Sequence, residues 1–216
     1  MAERKAGLWS LLAHPWVYET FQAVLGADRG RRRFVAEDLK PQAGDRVLDI
    51  GCGTARLAGY LGPVTYVGFE PNADYVAQGR VENVGRDVTL HAGYFDAAAA
   101  ENLPPFDLVI VSAVLHHMDD GQAEELFTLL PRVTKPGGRV VTLDNVYVDG
   151  QDPIAKAIIR MDRGQSIRDP EGYAVFARRH FAKVIGRVIH QRWIPYTYWI
   201  MECRDPILPA KAASGS

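Results

Sequence analysis

Net charge, cysteine and long apolar runs are what this sequence has least of. Its 216 residues carry 25 lysines and arginines against 26 aspartates and glutamates, a formal net charge of −1. A chain so balanced has no global field drawing it toward nucleic acid or anionic lipid. Two cysteines, Cys52 and Cys203, cannot build a disulfide framework, which points to a reducing compartment and a cytoplasmic location. No stretch approaches the roughly 18 uninterrupted apolar residues of a membrane span. The basic start MAERKAGLWSLLAHPW has an apolar run too short for a secretory leader, cut off by His14-Pro15. Internal repeats are missing as well. What remains is a chain that is 47% hydrophobic and long enough to bury a sizeable core as one domain.

The informative stretch is RVLDIGCGTARLAGYL, from Arg46 to Leu61, followed by GFEPN at 68–72. Val47, Leu48 and Ile50 suit a strand buried on both faces. Gly51 and Gly53 permit a tight turn and close approach of a ligand to the backbone. Ala55, Leu57, Ala58 and Leu61 fit the packed face of a helix over 55–61. Val64–Phe69 returns as a strand, ending on Glu70, where an acid can accept both hydroxyls of a ribose. A dinucleotide site asks for G-x-G-x-x-G, and here Arg56 holds the third glycine's place. Asp49, just before the loop, is a poor neighbour for phosphate and a good one for an ammonium group. A ligand with a ribose, an amino acid and no phosphate fits best.

At these residues the chain resembles the class I S-adenosylmethionine-dependent methyltransferases, whose first motif looks like V-L-D-I-G-C-G-T-G; Ala55 replaces the last glycine. The resemblance covers roughly residues 44–145. It implies an α/β fold, a Rossmann-like three-layer sandwich on a seven-stranded, mostly parallel sheet with an antiparallel last strand. The cofactor it implies is S-adenosylmethionine, leaving as S-adenosylhomocysteine. Asp49, Gly51, Cys52, Gly53 and Thr54 would meet the methionine half and Glu70 the ribose. Pro71, Asn72 and Tyr75 would flank the adenine, although Tyr75 fits a core position equally well. The third strand ends in Gly93-Tyr94-Phe95-Asp96, where many relatives place an acid directly after the glycine. Tyr94 stands there instead, so Tyr94 and Phe95 are the expected adenine contacts.

Alternation of strand-like runs with helical patterns supports a parallel sheet. Strands are expected near 47–50, 64–69, 88–91, 108–112, 139–143, 183–190 and 196–203. Helices are expected over 55–61, 73–82, 122–132 and much of 153–178, with a helical turn at 97–101. Lys183–His190 and Tyr196–Cys203 have no helix-length gap between them and should pair antiparallel, joined near Arg192–Pro195. Lys135-Pro136-Gly137-Gly138 reads as the turn into the fifth strand. Residues 1–43 read as a helical cap, 146–180 as a substrate lid inserted in the 44–205 core, and 206–216 as a disordered tail.

FDLVIVSAVLHHMDD is the second informative stretch. Ser112, Ala113 and His117 would cross the sheet edge beneath the cofactor's sulfonium. An imidazole there can act as a general base, because its pKa lies near working pH. His116, His117 and Asp144 are the candidates for that work. Adjacent histidines splay apart at a helix start and no second ligand cluster exists, so no metal is expected. The motif [D/N]-P-P-[Y/F/W] is missing after this strand, which disfavours methylation of a nucleic-acid base. His14, Tyr18, Asn145, Arg160, Arg163 and Tyr196 are candidate acceptor contacts. The expected activity is methyl transfer to an oxygen or nitrogen of a small molecule by a monomer or homodimer, with no nucleic-acid or membrane partner. The alternatives in the same fold are a protein or RNA methyltransferase and a non-catalytic S-adenosylmethionine-binding protein.

Overall fold

A computed structural model describes residues 27–160, 166–191 and 196–208. The chain divides into two units, after Lys40. In the first, helix α1 (Ala27–Phe34) runs into a π-turn over Val35–Leu39 that stops at Lys40, whose φ is 40°. The arginines of α1 lie on a solvated face: Arg32 pairs with Asp28 at 2.9 Å and Arg33 with Glu37 at 3.0 Å.

The second unit is built on seven strands: β1 (Arg46–Ile50), β2 (Thr65–Glu70), β3 (Val88–Ala92), β4 (Phe106–Ser112), β5 (Thr134–Asn145), β6 (Phe181–Gln191) and β7 (Tyr196–Pro206). Their order is β3-β2-β1-β4-β5-β7-β6. The first five are parallel, and β7 runs antiparallel between β5 and β6. The sheet reverses its order between β1 and β4, which opens the crevice where ligands bind in open α/β sheets. Val47, Leu48, Val109, Ile110, Val140 and Val141 have no solvent exposure, as central parallel strands require.

Helices α2 (Ala73–Glu82), α3 (Ala97–Asn102), α4 (Asp120–Val133), α5 (Pro153–Arg160) and α6 (Pro170–His180) complete the layers. Asn72 caps α2 through Asp74 and Tyr75 N–H groups, Asp119 forms a capping box with Gln122 on α4, and Asp169 caps α6. The core joins Leu48, Val109, Phe127, Leu130, Val140, Tyr173, Phe176 and Met201.

Three local expectations change. Ala55–Leu61 is a five-residue 3₁₀ turn, Arg56–Tyr60, because Ala55 takes a left-handed conformation and Gly59, Gly62 and Pro63 oppose an α-helix. The helical content expected over much of 153–178 falls into α5 and α6, with residues 166–169 between them non-helical and 161–165 outside the described set. Lys135–Gly138 already belongs to β5, opposite a register irregularity between Phe106 and Leu108. Strand β7 continues to Pro206, and Ile207 N–H donates to His180 O. Residues 1–26 of the expected helical cap and the 192–195 junction lie outside the described residues.

Candidate active site

At the C-terminal edge of β1, Gly51 and Cys52 N–H groups both donate to Phe69 O, folding the glycine loop back over β2. Gly51 has φ +75°, and a Cβ added to it would lie 2.4 Å from Val114 Cγ2. The loop therefore touches the segment that follows β4. Glu70 closes it from the other side: Oε2 accepts from Gly53 N–H at 3.0 Å and Oε1 from Asn72 N–H at 2.9 Å. Gly93 N–H donates to the backbone O of Glu70, so the end of β3 meets the same carboxylate-bearing residue.

Asp49 is 3% exposed and accepts from the Tyr66 hydroxyl at 2.6 Å. Burial pushes its carboxyl up to about 7, opposed by the Tyr66 hydrogen bond and reinforced by Glu70. Tyr66 itself was not anticipated. Its signal is Gly68, directly opposite Asp49 in the β1–β2 register: the glycine leaves room for the phenol to reach across. The same burial, with Asp49 and Glu70 beside it, holds the Cys52 thiol protonated.

Around the loop, Thr54 is half-buried and its carbonyl packs against Gly79 of α2. Pro71 is exposed, Asn72 caps α2, and Tyr75 lies at the surface. Tyr94 is 78% exposed, whereas Phe95 packs edge-on to Phe69 at 5.5 Å. His91 stacks on the same phenylalanine at 4.6 Å.

After β4 the backbone turns sharply. Ala113 takes φ 59° and its N–H donates to Leu143 O. Leu115–His117 then form a single 3₁₀ turn before α4. The two histidines differ. His116 is buried, and Asp144 Oδ1 takes both its backbone N–H (3.2 Å) and its ring Nδ1 (2.8 Å). His117 is exposed, its ring centroid 4.0 Å from that of His116. Asp144 is 1% exposed; among the described residues Oδ2 has no hydrogen-bond partner, and burial raises its pKa against the pull of His116.

Of the candidate acceptor contacts, Asn145 and Tyr196 come together, Nδ2 to hydroxyl 3.5 Å, with Tyr196 stacked on Tyr198. Arg160 is exposed on α5. His14, Tyr18 and Arg163 lie outside the described residues. Arg168, which no sequence pattern singles out, reaches the histidine turn. Among the described residues no group of three or more His, Cys, Asp or Glu side chains could hold a metal, and no helix is long and apolar enough to cross a membrane.

This arrangement offers two carboxylates and a glycine turn beside a histidine-bearing turn. Its helix after the loop is one 3₁₀ turn, so no α-helix N-terminus faces a phosphate there. Residues 47–138 match the family model of a methyltransferase domain. An uncharacterized methyltransferase of Synechocystis sp. is 30% identical over 146 residues, 63% of this chain and 65% of that protein. Residues 47–138 are thus a methyltransferase domain of the class I S-adenosylmethionine-dependent kind. A second methyltransferase, the ubiquinone/menaquinone biosynthesis C-methyltransferase UbiE of Burkholderia cenocepacia, is 29% identical over 72% of this chain and 65% of its own length. The chain thus matches just under two thirds of these relatives. Among solved structures, CalO1, a methyltransferase in calicheamicin biosynthesis in its S-adenosylhomocysteine-bound form, shares the fold with a TM-score of 0.65. It is 20% identical over 88% of this chain and 57% of its own.

Proposed function

We propose that this class I methyltransferase moves the methyl group of S-adenosylmethionine to an oxygen or nitrogen of a small-molecule acceptor. The observation that carries the reading is one contact: the Gly51 turn packs on Val114, three residues before His117. That contact joins a cradle suited to a ribose and an amino acid to a turn bearing an exposed imidazole. The residues fit the donor. Glu70 has lone pairs for ribose hydroxyls beyond the two it gives to Gly53 and Asn72. Asp49 offers a carboxylate to an ammonium, and Gly51–Thr54 present main-chain groups that a bulkier loop would obstruct. Phe95 and the exposed Tyr94 flank an adenine.

When bound, the cofactor supplies a methyl carbon on a positively charged sulfur, which makes that carbon electrophilic. The chain's part is to align the acceptor in line with it and exclude water. His117 is the base that takes the acceptor's proton when the acceptor is a hydroxyl. The Asp144–His116 pair holds the turn from which His117 projects. An amine that arrives unprotonated needs no base until after transfer. Small-molecule chemistry is supported by the near-neutral charge and by the likeness to UbiE and CalO1, named for ubiquinone/menaquinone and calicheamicin biosynthesis. The C-methyltransferase name of UbiE favours a carbon acceptor as the second reading.

Isothermal titration with S-adenosylmethionine tests the cofactor site. The chain is expected to bind it, and Glu70→Ala to bind about 10- to 100-fold more weakly, the worth of charge-assisted hydrogen bonds. Equal affinity in the variant would sink the assignment. Loss of methylated product in His117→Ala, with cofactor affinity intact, tests the base.

A further inference from the structure

The histidine turn is too short to hold its own shape. Leu115–His117 make one 3₁₀ turn, with His117 N–H on Val114 O and Met118 N–H on Leu115 O. One such turn gains little from its internal bonds and leaves carbonyls in need of donors. On one side Asp144 takes the His116 N–H and ring nitrogen. The carbonyls are served from elsewhere, by a segment 50 residues on in the chain.

Arg168 spans them. Its Nη1 donates to Leu115 O at 3.1 Å and its Nη2 to Met118 O at 2.9 Å, so one guanidinium fork bridges the carbonyls flanking the two histidines. Between them, His116 O accepts from the backbone N–H of Ser166 at 3.1 Å. Arg168 also binds Ser166 O, shaping its own segment, and pairs with Asp120 through Nε and Nη2. The side chain is 11% exposed and its charge lies over the Tyr173 and Phe176 rings, at 5.7 and 5.2 Å. Tyr173 in turn donates its hydroxyl to Asn145 O, and Tyr147 N–H donates to Arg168 O. Burying an arginine is unfavourable unless its donors are used. Four of the five bonds its side chain makes here engage the histidine turn or the residue that opens α4.

We infer that Arg168 is a positioning residue for the histidine turn: it fixes the Leu115 and Met118 carbonyls and so sets the direction in which His117 is presented. The insertion after β5 and the histidine turn then form one mechanical piece, clamped by Arg168 from one side and Asp144 from the other. An ion pair alone would not do this, since Asp120 is 83% exposed and such a partner contributes little. The fork geometry matters, because lysine reaches one carbonyl where arginine reaches two. The inference builds on the proposed role of His117, yet its test does not depend on that role.

The full chain is labelled with 15N-histidine, and the ring signals of His116 and His117 are assigned with His116→Gln and His117→Gln. Long-range 1H–15N spectra report ring environment and tautomer for both in Arg168→Ala, Arg168→Lys and Asp120→Ala. Binding of S-adenosylhomocysteine is measured alongside by calorimetry. Arg168→Ala is expected to shift or broaden both histidine signals well beyond the line width. Arg168→Lys should move them part of the way, and Asp120→Ala should leave them in place. Affinity for S-adenosylhomocysteine should stay within about threefold throughout. Unmoved histidine signals in Arg168→Ala overturn the inference, as do equal shifts in Arg168→Ala and Asp120→Ala. Should Arg168→Ala not fold, the lysine variant decides: unchanged signals there overturn it too. Failure of the wild-type chain to bind S-adenosylhomocysteine would count against the proposed function and leave the histidine result standing.

Discussion

On the glycine-loop side of the site the parts meet through main-chain N–H groups: Gly51 and Cys52 on Phe69 O, Gly53 on the Glu70 carboxylate, Gly93 on Glu70 O. On the histidine side they meet through side chains brought from far apart, Asp144 to His116 across 28 positions and Arg168 to Leu115 across 53. Main-chain geometry of the first kind imposes glycines at fixed spacing, so it leaves a motif. Side-chain geometry of the second kind leaves none, because any segment that reaches the turn can supply the donor. The difference also divides the chemistry. Under the proposed function the loop side serves the cofactor and the histidine side the acceptor.

The histidine side should break hardest. Asp144→Ala would remove the buried carboxylate oxygen on which the His116 N–H and ring nitrogen converge. Removing one partner of a buried pair is expected to cost about 3–5 kcal/mol. For a domain of this size that corresponds to a fall in Tm of roughly 6–20 °C. Cofactor affinity, measured on the folded variant below its transition, should survive nearly unchanged. A Tm within a degree or two of wild type would mean that Asp144 does not anchor the turn.

The loop side hides a cost of its own. Asp49 holds its proton in the folded chain up to about pH 7, whereas an unfolded aspartate releases it near 3.8. Between those values the folded state binds more protons than the unfolded one. Stability from this group is therefore full below pH 3.8 and declines as pH rises to 7, with a ceiling of about 4 kcal/mol. Asp49→Asn removes the titration and keeps an acceptor for Tyr66. It should melt higher than wild type at pH 8, with the gap reduced to roughly 40% at pH 5 and closed below pH 3.8. If Asp49 receives the cofactor's ammonium, wild-type affinity falls below pH 7 while the asparagine variant binds weakly and evenly. Parallel Tm profiles in the two proteins would remove the buried charge from the account.

Gly79→Ala sharpens the comparison against a simple propensity rule. Alanine in mid-helix is ordinarily favourable by about 1 kcal/mol. Here the added Cβ would lie 2.9 Å from Thr54 O, a main-chain atom of the loop, and 2.8 Å from Leu90 Cδ1. Overpacking against backbone should make the change net destabilising by about 1–2 kcal/mol. Chemical denaturation of the two proteins gives the sign, and calorimetry should show weakened cofactor binding because Thr54 is displaced. A stabilised variant with unchanged affinity would mean that α2 does not support the loop.

What was legible in the sequence follows the same division. Val47–Ile50, Gly51–Thr54 and Glu70 were readable because parallel strands demand unbroken apolar runs and the turn demands glycine. The antiparallel pairing of β6 with β7 was readable from the lack of room for a crossover helix. His116 and His117 were visible as residue types, but their unequal burial was not. That inequality depends on Asp144, which reaches the turn only once β4 and β5 are in register. Arg168 carries no sequence signal, because its role comes from contacts with carbonyls 53 and 50 positions away. Tyr66 was hidden in an ordinary strand pattern.

Ala55 is the smallest effect and the point where sequence and structure differ most finely. By residue type, alanine for the motif's last glycine is a mild change. The structure puts it at φ 52°, ψ 31°, left-handed and with no solvent exposure. An L-residue in that region carries about 1–2 kcal/mol of strain, which glycine escapes. Glycine also loses a buried methyl, worth about 0.8 kcal/mol, and adds freedom to the unfolded chain. The terms nearly cancel, so Ala55→Gly should change stability by less than about 1 kcal/mol, compared with the roughly 1 kcal/mol loss normal for this swap inside a helix. The same variant in an α-helical 55–61 would pay that full helix cost. Denaturation midpoints therefore distinguish the 3₁₀ turn with a strained entry from the longer helix that apolar periodicity alone suggests.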